Sequence, residues 1–431
     1  TEFTSQITSQ NVAEYVDDHV EKTPGVYTFT KDTTIKHSEF QGAIRGDKDP
    51  VTVNAEGKTL TIESRLVGMG ALTGIYHYGT GFASSDPSGD LNISAATLNL
   101  NIKGKGGRTF AVFNAGNGLL RIKGQTNIDI SGGNDDGDEV SGIEAISKGT
   151  TILEGLTIRQ AKSTDDHRAI GNKGFTSKIY VNVDEAGNVG SHKVDIQGNV
   201  LTDGHQALTN VALTTADSKL HGVARVQLGT LNLWLQNGAT WMNENYGTGA
   251  GRYASALTKL TGGSDAAHVG VIFQQNTKDI TIGSYSGHTK VFYAHDAAVP
   301  TTIKGGDFRI DKATANSAIT LTTDSAGLNT ESTAAADKNL VSATLNALAN
   351  KLWYEAYTTN ERNLTGKAEI AEGLTTSSAS KRMEDITFNE TTGQGSYVYT
   401  PAVDPPPGNE QTTTEFTTRL LGTTADQEYV D

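Results

Sequence analysis

Residues 98–102 read Leu98-Asn99-Leu100-Asn101-Ile102, an apolar–polar alternation that returns, with Gly or Asn close behind it, along most of the chain. Further copies are Leu60-Thr61-Ile62, Ile128-Asp129-Ile130, Leu156-Thr157-Ile158, Val194-Asp195-Ile196, Leu231-Asn232-Leu233, Ile280-Thr281-Ile282 and Phe308-Arg309-Ile310. Strict alternation is the period of a strand with one face buried and the other in water. The steps from 98 to 128, 128 to 156 and 280 to 308 are 28–30 residues, and others lie near 38. Between the copies lie more short strands, such as Phe110-Ala111-Val112 and Leu120-Arg121-Ile122, set off by the GKGG, NAGNG and KGQT turns. Three strands per repeat of this length describe one coil of a three-sided solenoid, whereas a β-sandwich gains nothing from a fixed repeat near 30. Ten to twelve coils about 4.8 Å apart predict a rod on the order of 50–60 Å long.

Composition points the same way. The 431 residues include 48 Gly but 8 Pro, charged residues are 19% and aromatics 7%, which suits short strands joined by polar turns. A chain of this length with no internal boundary favours an architecture that lengthens without a thicker core. Cysteine is absent, as suits export into an oxidising compartment. The net charge of −14 opposes nucleic-acid or acidic-membrane binding unless a local basic stripe exists. The text opens without an apolar leader, as a chain already mature or trimmed.

Four segments follow. Residues 1–29 form an N-terminal cap, in which TSQNVAEYVDDHVEK (8–22) reads as a short helix stopped by Pro24-Gly25. Residues 30–330 form the parallel coils, with DEAGNVGSHK (184–193) and NENYGTGAGRYAS (243–255) as loops that leave the rod. Within 331–400, residues 337–356 predict an amphipathic helix with Val341, Leu345, Leu348 and Leu352 on one face and Asp337 or Asn339 as its cap. Residues 401–431, rich in Pro and Thr, read as a linker.

Three stretches, LNLWLQNGATWMN (231–243), DITIGSYSGHTKVFYAHD (279–296) and LVSATLNALANKLWYEAYTTNERNLTGKAEIAEGLTTSSAS (340–380), resemble the passenger domains of type V autotransporter adhesins. The likeness spans most of residues 30–395. It implies a right-handed parallel β-helix, held at a bacterial surface by a C-terminal outer-membrane barrel. No segment after Pro401 has strands long enough to be that barrel, so membrane contact would run through a part absent from this chain. The resemblance implies adhesion to host glycans of glycosaminoglycan type, or to matrix proteins such as fibronectin. Self-association between rods is the first alternative, since outward asparagines (Asn99, Asn101, Asn232) suit either kind of binding.

A polysaccharide lyase or hydrolase is the second alternative. Asp165-Asp166, Asp203-Gly204-His205 and Arg121-Ile122-Lys123 echo the acid pair, Gly-His and Arg-Ile-Lys elements of pectin-type hydrolases. In those enzymes the basic element follows the histidine; here it precedes it, several coils away. Turn chemistry explains the fragments equally well, and the expectation is a protein that is not an enzyme.

Two clusters carry the expected binding site. Asp136 and Asp166 are separated by one local coil, matching the step from Leu98 to Ile128. That match predicts an acidic edge of Asn134, Asp135, Asp136, Asp138, Asp165, Asp166, His167 and Arg168. Its carboxylates would accept sugar hydroxyls, with Arg168 meeting an acidic group. The basic segment KGKGGR supplies Lys103, Lys105 and Arg108 for sulfate or carboxylate. NDDGDE (134–139) has the composition of a calcium loop without its register, so a solvated turn is the simpler reading. The ten histidines show no ligand spacing, and neither metal nor cofactor is assigned.

Overall fold

The computed structural model describes residues 2–400 apart from 10–19, 24, 67, 69, 79–87, 134–137, 163 and 246–252. The unit that spans Thr1–Tyr397 contains every described element. It is an elongated, mostly parallel all-β stack with a single helix among the described residues. The linker expected at 401–431 lies outside the described residues, as does the middle of the expected loop at 243–255.

The registers sort into three continuous runs of parallel pairing. In the first, each inward residue sits on its equivalent one coil earlier: Ile35 on Phe3, then Ile62, Leu100, Ile128, Ile158, Ile196 and Leu220. The column continues through Trp241, Ile272, Val291 and Leu321 to Ala368. At about 4.8 Å per step its thirteen members extend over about 60 Å. A second run stacks Val53, Ile93, Ile122, Leu153, Val181 and Val211. The third stacks Ile44, Ile75, Val112, Ile143, Ile170 and Val200.

Leu98, Leu100, Ile102, Ile128, Ile130, Leu156 and Ile158 are all buried, as their alternation predicts. Full burial of one such side chain contributes about 1.5–3 kcal/mol, so the columns are the principal favourable term. Two columns are interrupted, however. Thr126 separates Leu98 from Leu156, and Gln160 follows Ile102 and Ile130, where its amide donates to the carbonyls of Val140 (3.2 Å) and Arg168 (3.3 Å).

The recurring phrase marks an inward-facing strand but no fixed face. Leu60 to Val194 belong to the first run, Leu231 and Leu233 to the second, Ile280 and Phe308 to the third. Unequal coils drive this drift: the step from Ile158 to Ile196 is long, whereas that from Leu220 to Trp241 is short. The KGQT segment is not a gap between strands. The strand Leu119–Ser131 runs through it, bending between Lys123 and Gln125 where Gly124 has a positive φ of 91°. A Cβ at Gly124 would lie 1.8 Å from the Ala95 carbonyl oxygen, so only glycine allows that corner to nest on the coil below.

Two helix expectations need correction. At the N-terminus, residues 20–22 fall in the strand Val20–Thr23, antiparallel to Val26–Phe29, and residues 10–19 of the expected helix lie outside the described residues. At the C-terminus the helix is Ala335–Ala349, with Val341, Leu345 and Leu348 buried. Asp337 lies in its first turn and Asn339 within it, so neither is the cap; that position is Ala334, which offers no side-chain bond. Leu352 is buried, but in the strand Leu352–Tyr354, which pairs with Phe308–Ile310. A residue four places after Leu348 satisfies the helical period, yet the parallel pairing ends the helix first.

Replacing Ile128 by Ala removes one member from the longest column. Urea unfolding should show a loss of about 2–5 kcal/mol; a loss below about 0.5 kcal/mol would place the residue outside the column.

Candidate functional site

The acidic edge takes a different form from the one its spacing suggests. Val140 pairs with His167, so Glu139 and not Asp136 is the rung neighbour of Asp166. Matching backbone bonds fix this, from Thr109 N to Glu139 O (2.8 Å) and from Val140 N to Asp166 O (2.8 Å). Asn134, Asp135 and Asp136 lie outside the described residues, while Asp138, Asp165 and Asp166 are half-buried. His167 and Arg168, expected to face a ligand, are fully buried.

Arg168 is held by the coil beneath it. Its Nη2 donates to Glu144 Oε1 (3.1 Å) and Oε2 (3.2 Å), its Nε to Ser141 Oγ (3.2 Å), and its Nη1 to the Asp165 carbonyl. The pair lies across Gly171, where a Cβ would come within 2.1 Å of Glu144 Oε2 and 2.6 Å of Arg168 Nε. Burial opposes the charge on Arg168, but Glu144 and Glu139 outweigh it and hold the guanidinium pKa above its usual value. Such a cation is a structural clamp, closed to a ligand.

Around it most of the remaining charges are also matched, the exception being Asp166, which forms no ion pair among the described residues. Glu139 accepts from Lys173 Nζ (2.9 Å) and meets Arg108 Nε (3.1 Å), so Arg108 is occupied within the rod itself. Burial pushes the Glu139 carboxyl up, yet Lys173, Arg168 and Arg108 together keep its pKa below the ordinary glutamate range. Asp165 meets Arg225 (3.3 Å), whose guanidinium lies 5.5 Å from the Tyr253 ring centre. Gln227, with its amide turned to satisfy both neighbours, joins Arg225 Nη2 (2.6 Å) to Asp203 Oδ2 (3.1 Å). His205 stacks on Phe175 at 5.4 Å. The hydrolase-like fragments are thereby scattered, since Arg121 belongs to the second run and Asp165 to the turn that opens the third.

The basic segment splits three ways. Arg108 pairs with Glu139, Lys105 is exposed on its turn, and Lys103 enters a cleft of about 510 Å³ on the outward face of the first run. That cleft is lined by Lys36, Glu63, Arg65, Asn101, Lys103 and Asp129, with Ser38 and Ser64. Arg65 pairs in register with Lys103, so two exposed cations stand one rung apart. Neither cationic side chain has a hydrogen-bond or ion-pair partner among the described residues, although the Arg65 backbone N donates to Ser38 Oγ (2.9 Å). Glu63, Asn101 and Asp129 form the adjacent outward column. Elsewhere on this face the amides bond along the rod, as where Asn127 donates to Asn99 at 3.0 Å.

A larger cleft, about 590 Å³, was not legible as one feature. Its two walls are Arg121-Ile122-Lys123 and the loop DEAGNVGSHK, far apart in the chain but adjacent across the second run. The loop folds back as a hairpin closed by a Val183–Val189 bridge.

No protein-family model, curated protein or solved structure matches the chain. Among the described residues no group of three His, Cys, Asp or Glu is placed to hold a metal ion, and NDDGDE lies mostly outside them. No described helix is long and apolar enough to cross a membrane.

Because the folded-state pKa of Glu139 is depressed, its stabilisation is complete above the unfolded glutamate value and is lost as pH falls through the folded one. Glu139→Gln should therefore unfold more easily at pH 7 and show a flatter loss of stability below about pH 4.5. An acid limb identical to the parent's in thermal melts would remove Glu139 from the network.

Proposed function

We propose that the chain is a non-catalytic adhesin of a bacterial surface, which holds acidic, glycosaminoglycan-like glycans in the cleft between Arg65 and Lys103. In this reading the fold is a right-handed, three-sided parallel β-helix, exported as an autotransporter passenger; the three runs of pairing support the three sides. The observation that carries the function is the in-register pair Arg65 and Lys103, exposed and in no ion pair among the described residues, although Glu63 and Asp129 line the same cleft. A sulfate or uronate between them would receive charge-assisted bonds from both rungs. Glu63, Asn101 and Asp129 would take the neighbouring hydroxyls, a role the sequence suggests for the acidic edge. Matched charge around Arg168 supports giving that edge a structural role instead. Each contact is modest, so useful adhesion comes from many copies on one cell.

The self-associating alternative finds less support, because Asn99 and Asn232 already bond Asn127 and Asn210 of neighbouring coils at 3.0 Å. For the cleft, the test is Arg65→Ser combined with Lys103→Ser, with a heparin octasaccharide as probe. Binding should fall at least about tenfold at low salt and lose most of its salt dependence, while Lys105→Ser binds as the parent does. Unchanged binding by the folded double variant would contradict the assignment.

A further inference from the structure

The cleft under the hairpin has a different chemistry from the glycan cleft and lies on a different run of strands. Its hairpin is rigidly rooted. Asn182, at a positive φ of 55°, donates to the Gly190 carbonyl (3.3 Å), the Ala212 carbonyl (3.1 Å) and Thr214 Oγ1 (3.1 Å), and accepts from His192 N (3.1 Å). Asp184 accepts from Asn188 through both its backbone and side-chain nitrogens, each at 2.8 Å. A Cβ at Gly190 would meet Asn182 Oδ1 at 2.3 Å, so the base of the hairpin tolerates nothing larger. The space below is therefore preorganised, and its volume of about 590 Å³ falls within the range of single-ligand sites.

The walls differ in charge. On the strand side Arg121 and Lys123 point outward two positions apart, and neither side chain has a partner among the described residues; Glu154 also lines this side, with one carboxylate oxygen accepting from Gly124 N (2.7 Å). On the hairpin side Asp184 and Glu185 are exposed. Between them the surface is mainly aliphatic, from Ile152, Val183, Ala186 and Val189; among the described lining residues there is no Phe, Tyr or Trp, and the one ring is the His192 imidazole, 4.0 Å from Glu154. A sugar ring gains most from aromatic faces and paired polar groups; an aliphatic floor between a cationic and an anionic wall suits a peptide.

We propose that this cleft binds an extended acidic–apolar–basic segment of a partner polypeptide. The segment's carboxylate lies against Arg121 and Lys123, its apolar side chain on Ile152 and Val183, and its cation against Asp184 and Glu185. The charges fix direction as well as affinity, because a reversed segment would meet like charge at both walls. One such site is weak, and in a surface protein it would act through multiple copies.

The test is calorimetry with the pentapeptide acetyl-Gly-Asp-Leu-Lys-Gly-amide at millimolar concentration, beside its uncharged analogue acetyl-Gly-Asn-Leu-Gln-Gly-amide. The parent should bind the first and not the second. Arg121→Ser with Lys123→Ser should weaken binding at least about tenfold, and Glu185→Gln should weaken it less, since Asp184 remains. All three substituted side chains lie outside the core, and unchanged melting temperatures confirm the fold. Arg65→Ser with Lys103→Ser should leave peptide binding intact, which separates this site from the glycan cleft. Failure of the parent to bind the charged peptide, equal binding of the neutral one, or equal binding by the folded Arg121/Lys123 variant would overturn the proposal.

Discussion

Everything in this molecule depends on parallel backbone pairing that sets each coil on the one below in fixed register. A strand slipped by one residue would turn its whole apolar set outward, and at about 1.5–3 kcal/mol per buried side chain that slip is prohibited. The inward columns therefore dictate the outward ones. Wherever Ile62 sits on Leu100, Arg65 must sit on Lys103, whatever their charges. Two unit charges one rung apart repel by only about 1 kcal/mol in water, a cost the core readily overrides. The fold thus holds like charges at a spacing that a free surface would relax, and in the proposed function an anion neutralises them.

The same rule produces the opposite result one face away. Register places Arg168 on Ser141 and Gly171 on Glu144, and the Asp165 carbonyl closes over the guanidinium. A buried cation must be paired, so Glu144 and Glu139 are occupied inside the rod. Arg108, Lys173 and Arg225 then balance the carboxylates of Glu139 and Asp165. Two charge clusters thereby acquire different roles: one is closed into a clamp, the other stays open.

Alternation in Leu98–Ile102 and its copies was enough to read parallel strands, coil spacing and the seven inward residues. It was not enough to assign faces, because coils differ in length and shift the phrase from one run to the next. The acidic edge misled for a related reason. The match between Asp136 and Asp166 assumes a constant coil, whereas the pairing of Val140 with His167 makes that step shorter. Burial of His167 and Arg168 had no local signal, since HRAIGN opens on two polar residues and has no apolar–polar alternation, yet all six residues are buried. Lys103 was legible as basic, but its partner Arg65 lies a full coil earlier in the chain and stands out only once the register is known.

The register itself is the claim to measure. Since the chain lacks cysteine, a pair can be introduced without background: Arg65→Cys with Lys103→Cys, against Arg65→Cys with Asn101→Cys. Strands about 4.8 Å apart bring the first pair within disulfide reach, whereas the second is displaced two positions along the strand and too far. Under mild oxidation the first variant should cross-link rapidly in the folded protein and the second should stay reduced. Cross-linking of the second pair, or of neither, would contradict the ladder on which the fold and both clefts rest.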